Sequence, residues 1–101
     1  RNLIIMTYTV RGKFKESQEV KELKEGVFAR NFVIIVNEGN PNSRDMPIIF
    51  NMVGKQPRIS LVDDLSEGDA VEIEFELRGK QSFNGVNKYF NNLDVRHITK
   101  L

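Results

Sequence analysis

The chain has 101 residues, with fifteen Lys and Arg against fourteen Asp and Glu and a formal charge of +1. That length gives one domain with a modest core. The near-neutral balance excludes a uniformly basic polyanion binder and leaves only a local patch assembled by folding. Cysteine is absent, which removes disulfides, thiolate metal sites and a cysteine nucleophile and fits a reducing, cytoplasmic location.

No apolar run approaches the ~20 residues of a membrane helix, so no membrane partner is expected. The opening "RNLIIM" is too short for the apolar core of a signal peptide. Met6 reads as the natural start. The single domain is therefore expected over 6–101, with 1–5 a cloning remnant or an N-terminal extension.

The first strand is expected over Tyr8–Phe14, with Tyr8, Val10 and Phe14 on one side and Arg11, Lys13 and Lys15 on the other. Gly12 falls on the apolar side, where a missing side chain lets a strand coil or a neighbour approach. Residues 15–26, "KESQEVKELKEG", read as a long charged hairpin loop, with a short helix as the rival reading. The second strand is Val27–Val36, wet at Arg30 and Asn31 and then continuously apolar. Residues 37–47 carry Gly39, Pro41 and short polar side chains and read as a loop. The third strand is Ile48–Val53. Beyond it Pro57 opens a short helix whose Ile59, Val62 and Leu65 line one side.

"LSEGDAVEIEFELRG", residues 65–79, carries the clearest signal. Val71, Ile73, Phe75 and Leu77 alternate with Glu72, Glu74, Glu76 and Arg78, a period of two with one buried and one wet face. Gly68-Asp69 reads as the turn in and Gly79 as the exit. Residues 79–88 form a polar loop around Phe83 with a turn at Asn84-Gly85. The last strand is Tyr89–Ile98, where Phe90 is out of register with Leu93 and Val95, so a bulge is expected near Asn91-Asn92.

The order β-β-β-α-β-β predicts an all-β fold, a five-stranded Greek-key OB-fold barrel with a short helix between strands three and four. An immunoglobulin-like sandwich needs about seven strands. An SH3-like barrel is the nearer rival, but it has shorter strands and usually lacks the helix.

The run "FNMVGKQPRISLVDDLSEGDAVEIEFELRG", followed by "GVNKYFNNLDVRHI", resembles the second half of bacterial single-stranded DNA-binding proteins. A closer likeness is to a small OB-fold family of the Bacteroidetes of uncharacterised function. Its pattern maps onto Phe32-Val33-Ile34, Phe50, Gly68-Asp69, Val71, Phe75, Leu77-Arg78-Gly79, Phe83, Gly85, Tyr89-Phe90-Asn91 and Leu93. "ELRG" and "KYFNNL" are the specific parts, and Phe83 stands where that family often has tryptophan. The resemblance implies binding of single-stranded nucleic acid, DNA ahead of RNA.

Nothing in the sequence builds an enzyme, and no cofactor or metal is expected. His97 is the only histidine, and Asp94, three residues before it on a strand, is expected on the opposite face. Asp63, Asp64 and Glu67 read as a solvated helix end. Gly54-Lys55 lacks the glycines and the following Ser or Thr of a phosphate loop.

A single strand needs cations for its backbone and flat side chains for its bases. Arg30, Lys55, Lys80, Phe83, Lys88 and Tyr89 are the expected nucleic-acid contacts. Phe83 leads, because it stands in a polar loop between Lys80 and Lys88. Tyr89 is expected outside, with a wet hydroxyl, and Phe90 inside; Phe28 and Phe50 read as core. Glu16, Glu19, Glu22 and Glu25, between the first two strands, would repel the same backbone.

Two functions follow from these residues. The first is single-stranded nucleic-acid binding through the barrel face and loops. The second is a protein-interaction or assembly module on the same scaffold. Convergence of Arg30, Lys55, Lys80, Lys88 and Phe83 on one face would favour the first. A homo-oligomer formed through an open edge of the first strand suits either.

Overall fold

A computed structural model describes residues 7–37, 39–82 and 88–101. The strand of alternating glutamates orients as its pattern demands. Val71 and Ile73 are fully buried, and their glutamate neighbours stand on the outer side. In chain order the elements are β1 (Thr7–Ser17), β2 (Lys21–Lys24), β3 (Val27–Val36), β4 (Met46–Gly54), a 3-10 helix (Arg58–Asp64), β5 (Ala70–Ser82) and β6 (Lys88–Lys100). They form one six-stranded sheet in the order β1-β5-β6-β4-β3-β2, curled by an additional β1–β3 pairing.

The expected five-stranded Greek-key barrel is corrected on three points. A sixth strand, β2, occupies part of the charged 15–26 stretch that reads as a loop in the sequence. All four of its residues, "KELK", are exposed, so no apolar periodicity announces it. Backbone pairing of Lys21 with Ala29 and Glu22 with Phe28 makes it a strand, joined to β3 by a turn at Gly26 with φ 76°. Second, the sheet is mixed: β4 runs parallel to β6. Third, that seam has a single register pair, Asn51 opposite Asp94. The arrangement is a curled mixed sheet, not a barrel closed by continuous ladders.

The core lies in the curl. Phe14, Phe32, Ile34, Phe50, Met52, Val71, Ile73 and Val95 point inward from the strands. Phe32 stacks on Phe50 at 5.7 Å between ring centroids, and Phe75 meets Phe50 edge-on at 5.3 Å. The short helix covers one mouth. It is a 3-10 helix, whose three residues per turn bring Ile59 and Val62 onto one buried side, with Leu65 packed beside them. Arg58 ties it to β6 by donating to the carbonyls of Val95 (2.7 Å) and Arg96 (2.9 Å).

Gly12 is required by close approach. A Cβ there would lie 2.5 Å from both Ile34 Cγ2 and the carbonyl oxygen of Ile35. The β-bulge sits at Arg96 rather than at Asn91-Asn92, between the pairs Glu74–His97 and Phe75–Val95. Ile98 and Val95 both face the core, and three-residue spacing demands one extra residue between them. The same bulge brings Asp94 and His97 to one face, where the unbroken alternation assumed for the strand had set them on opposite faces. Among the described residues no helix is long and apolar enough to cross a membrane.

Candidate nucleic-acid interface

Among the described residues β5 and β6 outrun their neighbours: β1 is described from Thr7, which pairs with Glu76, and the β4–β6 seam lies at Asp94. From Leu77–Leu93 to Ser82–Lys88 the two strands pair only with each other among the described residues. At ~3.4 Å per residue this makes an arm about 20 Å long. In the polar stretch 79–88 that reads as a loop, residues 79–82 and 88 thus belong to the ladder. Phe83 and the Asn84-Gly85 turn lie outside the described residues.

Directly opposed residues of an antiparallel pair share a face, as do alternate residues of one strand. One face of the arm therefore carries Arg78, Lys80, Lys88 and Phe90, with Lys80 directly opposite Phe90 and Lys88 two residues before it. The other carries Gln81 opposite Tyr89, whose hydroxyl accepts from the Gln81 amide at 3.3 Å. Tyr89 is 77% exposed and Phe90 48%. Phe90 does not turn inward as expected, because its register with Lys80 sets it on the outer face of β5, in line with Glu76 and Arg78.

Electrostatics sorts the arm lengthwise. At its base Glu76 and Asp94 are held by arginines: Arg78 reaches Glu76 at 2.8 Å and Asp94 at 3.5 Å, and Arg96 also pairs with Glu76. Farther out stand Lys80 and Lys88, which form no ion pair among the described residues. The far half of this face thus offers two free ammonium groups beside a flat ring. A phosphate backbone with unstacked bases uses both features.

The other expected contacts lie elsewhere. Arg30 points inward, opposite buried Met52, with its side chain only 11% exposed. Its guanidinium donates to Ser17 Oγ (2.8 Å), the carbonyls of Gln18 (3.1 Å) and Ile59 (3.5 Å), and Asp63 (2.8 Å). That hydrogen bond and the guanidinium charge hold the Asp63 carboxyl below its ordinary range. Lys55 is exposed just after β4 ends. Because β4 and β6 run parallel through Asn51–Asp94, Lys55 and the arm leave that seam in opposite directions. Lys80, Lys88 and Tyr89 therefore come together, and Arg30 and Lys55 do not join them. Glu22 and Glu25 belong to the β2–β3 hairpin, with β3 and β4 between them and β6 in the sheet order.

Phe90 is the residue that sequence reasoning placed elsewhere. Its pairing with Lys80 follows from the register of β5 and β6. Among the described residues, no three His, Cys, Asp or Glu side chains gather around a point that could hold a metal ion.

The fold matches the crystal structure of the small single-stranded DNA-binding protein from Streptomyces coelicolor over 97% of this chain and 95% of that one, with a TM-score of 0.59. Identity is 14%, so the likeness is one of fold. It gives the resemblance to bacterial single-stranded DNA-binding proteins a structural counterpart, without bearing on a Bacteroidetes lineage. No curated protein matches the chain. Residues 9–99 match a domain of unknown function, DUF3127, and the chain belongs to that family.

Proposed function

We propose that this protein binds single-stranded nucleic acid, DNA ahead of RNA, through the β5–β6 arm and without catalysis. The observation that carries this reading is the arm face on which Lys80, Lys88 and exposed Phe90 stand together. The lysines engage consecutive phosphates while a base stacks on Phe90. Tyr89 takes a second base on the opposite face, and Phe83, outside the described residues, is a further stacking ring. Lys55 and Arg30, expected contacts from the sequence, take no part in this arrangement. Stacking and backbone contact are tolerant of base sequence, so the preference is for unpaired over paired strands. The fold shared with a single-stranded DNA-binding protein is consistent with this choice.

The test is fluorescence anisotropy of a labelled single strand, titrated with protein at low and moderate salt, with duplex and RNA competitors. Wild type should saturate, weaken with salt and prefer the single strand. Lys80→Ala/Lys88→Ala, Phe90→Ala and Phe83→Ala should each weaken binding. Equal affinity of wild type and all three variants, or no binding at low salt, would overturn the proposal.

A further inference from the structure

A different face of the sheet points to a second ligand, another copy of this chain. β3 and β4 pair from Phe28–Gly54 to Val36–Met46. Their inward side chains form the core, and their outward ones include Asn31, Val33 and Ile35 on β3 and Ile49, Asn51 and Val53 on β4. Ile49 is 47% and Val53 51% exposed. No Lys, Arg, Asp, Glu or aromatic residue stands at the outward positions 29, 31, 33 and 35 or 47, 49, 51 and 53. These eight positions offer a polyanion no charge and a base no ring, and the charges that border them, Lys13, Glu16, Lys21 and Asp94, are of both signs. An exposed face of aliphatic pairs interrupted by a single pair of amides marks a protein contact.

The pattern of the face selects the partner. Along the strands Val33 stands beside Ile49, Asn31 beside Asn51, and Ala29 beside Val53. A two-fold axis parallel to the strands and between them lays β3 of one copy over β4 of the other. Val33 then meets Ile49, Asn31 meets Asn51, and Ala29 meets Val53, twice over. Each aliphatic row lies on an aliphatic row and each amide on an amide, the self-matching of an isologous contact. The flanks agree in charge as well. Lys21 lies beside Ala29 on one side and Asp94 beside Asn51 on the other, and the same axis brings Lys21 of one copy toward Asp94 of its partner.

We infer that the outer face of β3–β4 is a homodimer interface in which two sheets pack face to face. This inference stands apart from the nucleic-acid reading, because it uses neither the arm nor its lysines.

Two measurements test it. In sedimentation equilibrium at tens of micromolar, wild type should be a dimer and Ile49→Lys/Val53→Lys a monomer with an unchanged circular dichroism spectrum. Because the chain has no cysteine, Asn51→Cys introduces a single thiol at the centre of the face. A short bis-maleimide should link it to its copy across the axis, faster than it links Leu61→Cys on the exposed side of the short helix. A monomeric wild type overturns the proposal. So does a dimer that survives Ile49→Lys/Val53→Lys, which would place the contact elsewhere, for instance along Thr7–Gly12 of β1, paired only on its β5 side among the described residues. A wild-type dimer in which Asn51→Cys cross-links no faster than Leu61→Cys overturns the face-to-face arrangement.

Discussion

Arg30 and Asp63 meet at 2.8 Å, so the cation that stands on an expected binding strand is turned toward the protein's own helix. The contact links β3 to the short helix, and the bonds to Ser17 and Gln18 draw in the end of β1 and the residue that follows it. Arg30 is a clasp among three segments. Arg30→Met keeps the apolar stem and removes the charge-assisted bonds. It should destabilise the fold by about 2 kcal/mol and leave single-strand affinity unchanged. Denaturant unfolding and anisotropy on the same variant check both halves.

Acid should loosen that clasp. Asp63 is held below its ordinary range chiefly by the Arg30 hydrogen bond, and Asp69 chiefly by the Ser66 backbone N–H, with Lys100 contributing. A carboxylate with a depressed folded-state pKa adds stability above its unfolded value, near 4. That stability is lost as pH falls through the folded value. The denaturation midpoint should hold steady above about pH 5 and decline below about pH 4. Arg30→Met should flatten the decline, and an unchanged pH profile in that variant would remove Asp63 from the explanation.

The arm's lysines predict a salt signature. Each phosphate neutralised on a single strand contributes about 0.7 to the slope of log affinity against log salt. Lys80→Ala/Lys88→Ala should therefore reduce that slope by about 1.4. Phe90→Ala should weaken binding by about 1–3 kcal/mol and leave the slope unaltered, because stacking releases no counterions. Titration at several salt concentrations separates the two effects.

Gly12 predicts a packing failure. A methyl group at this position overlaps Ile34 and the backbone of Ile35, and backbone cannot swing aside as a long side chain can. Gly12→Ala should destabilise by about 1–3 kcal/mol through overpacking. Thermal unfolding measures it. A variant as stable as wild type would mean that β1 moves away from β3 at little cost.

Where one face of an element is wet and the other buried, its residues announce it by themselves. Val71, Ile73 and Phe75, set between glutamates, specify a strand and its inward side, because period two is the geometry of an extended chain. Ile59 and Val62, three apart beyond Pro57, specify the short helix and its buried side in the same way. Gly12, on the apolar side of β1, marks the close approach of β3. Only the tertiary structure could decide the rest. β2 exists through backbone hydrogen bonds to β3, which exposed Lys, Glu and Leu side chains do not encode. Arg30 faces inward because carbonyls and an aspartate distant in sequence meet there. The pairing of Lys80 with Phe90 depends on the register of β5 and β6. Residue type and spacing carry local geometry; which charge is neutralised and which ring is left bare depends on what the folded chain places beside it.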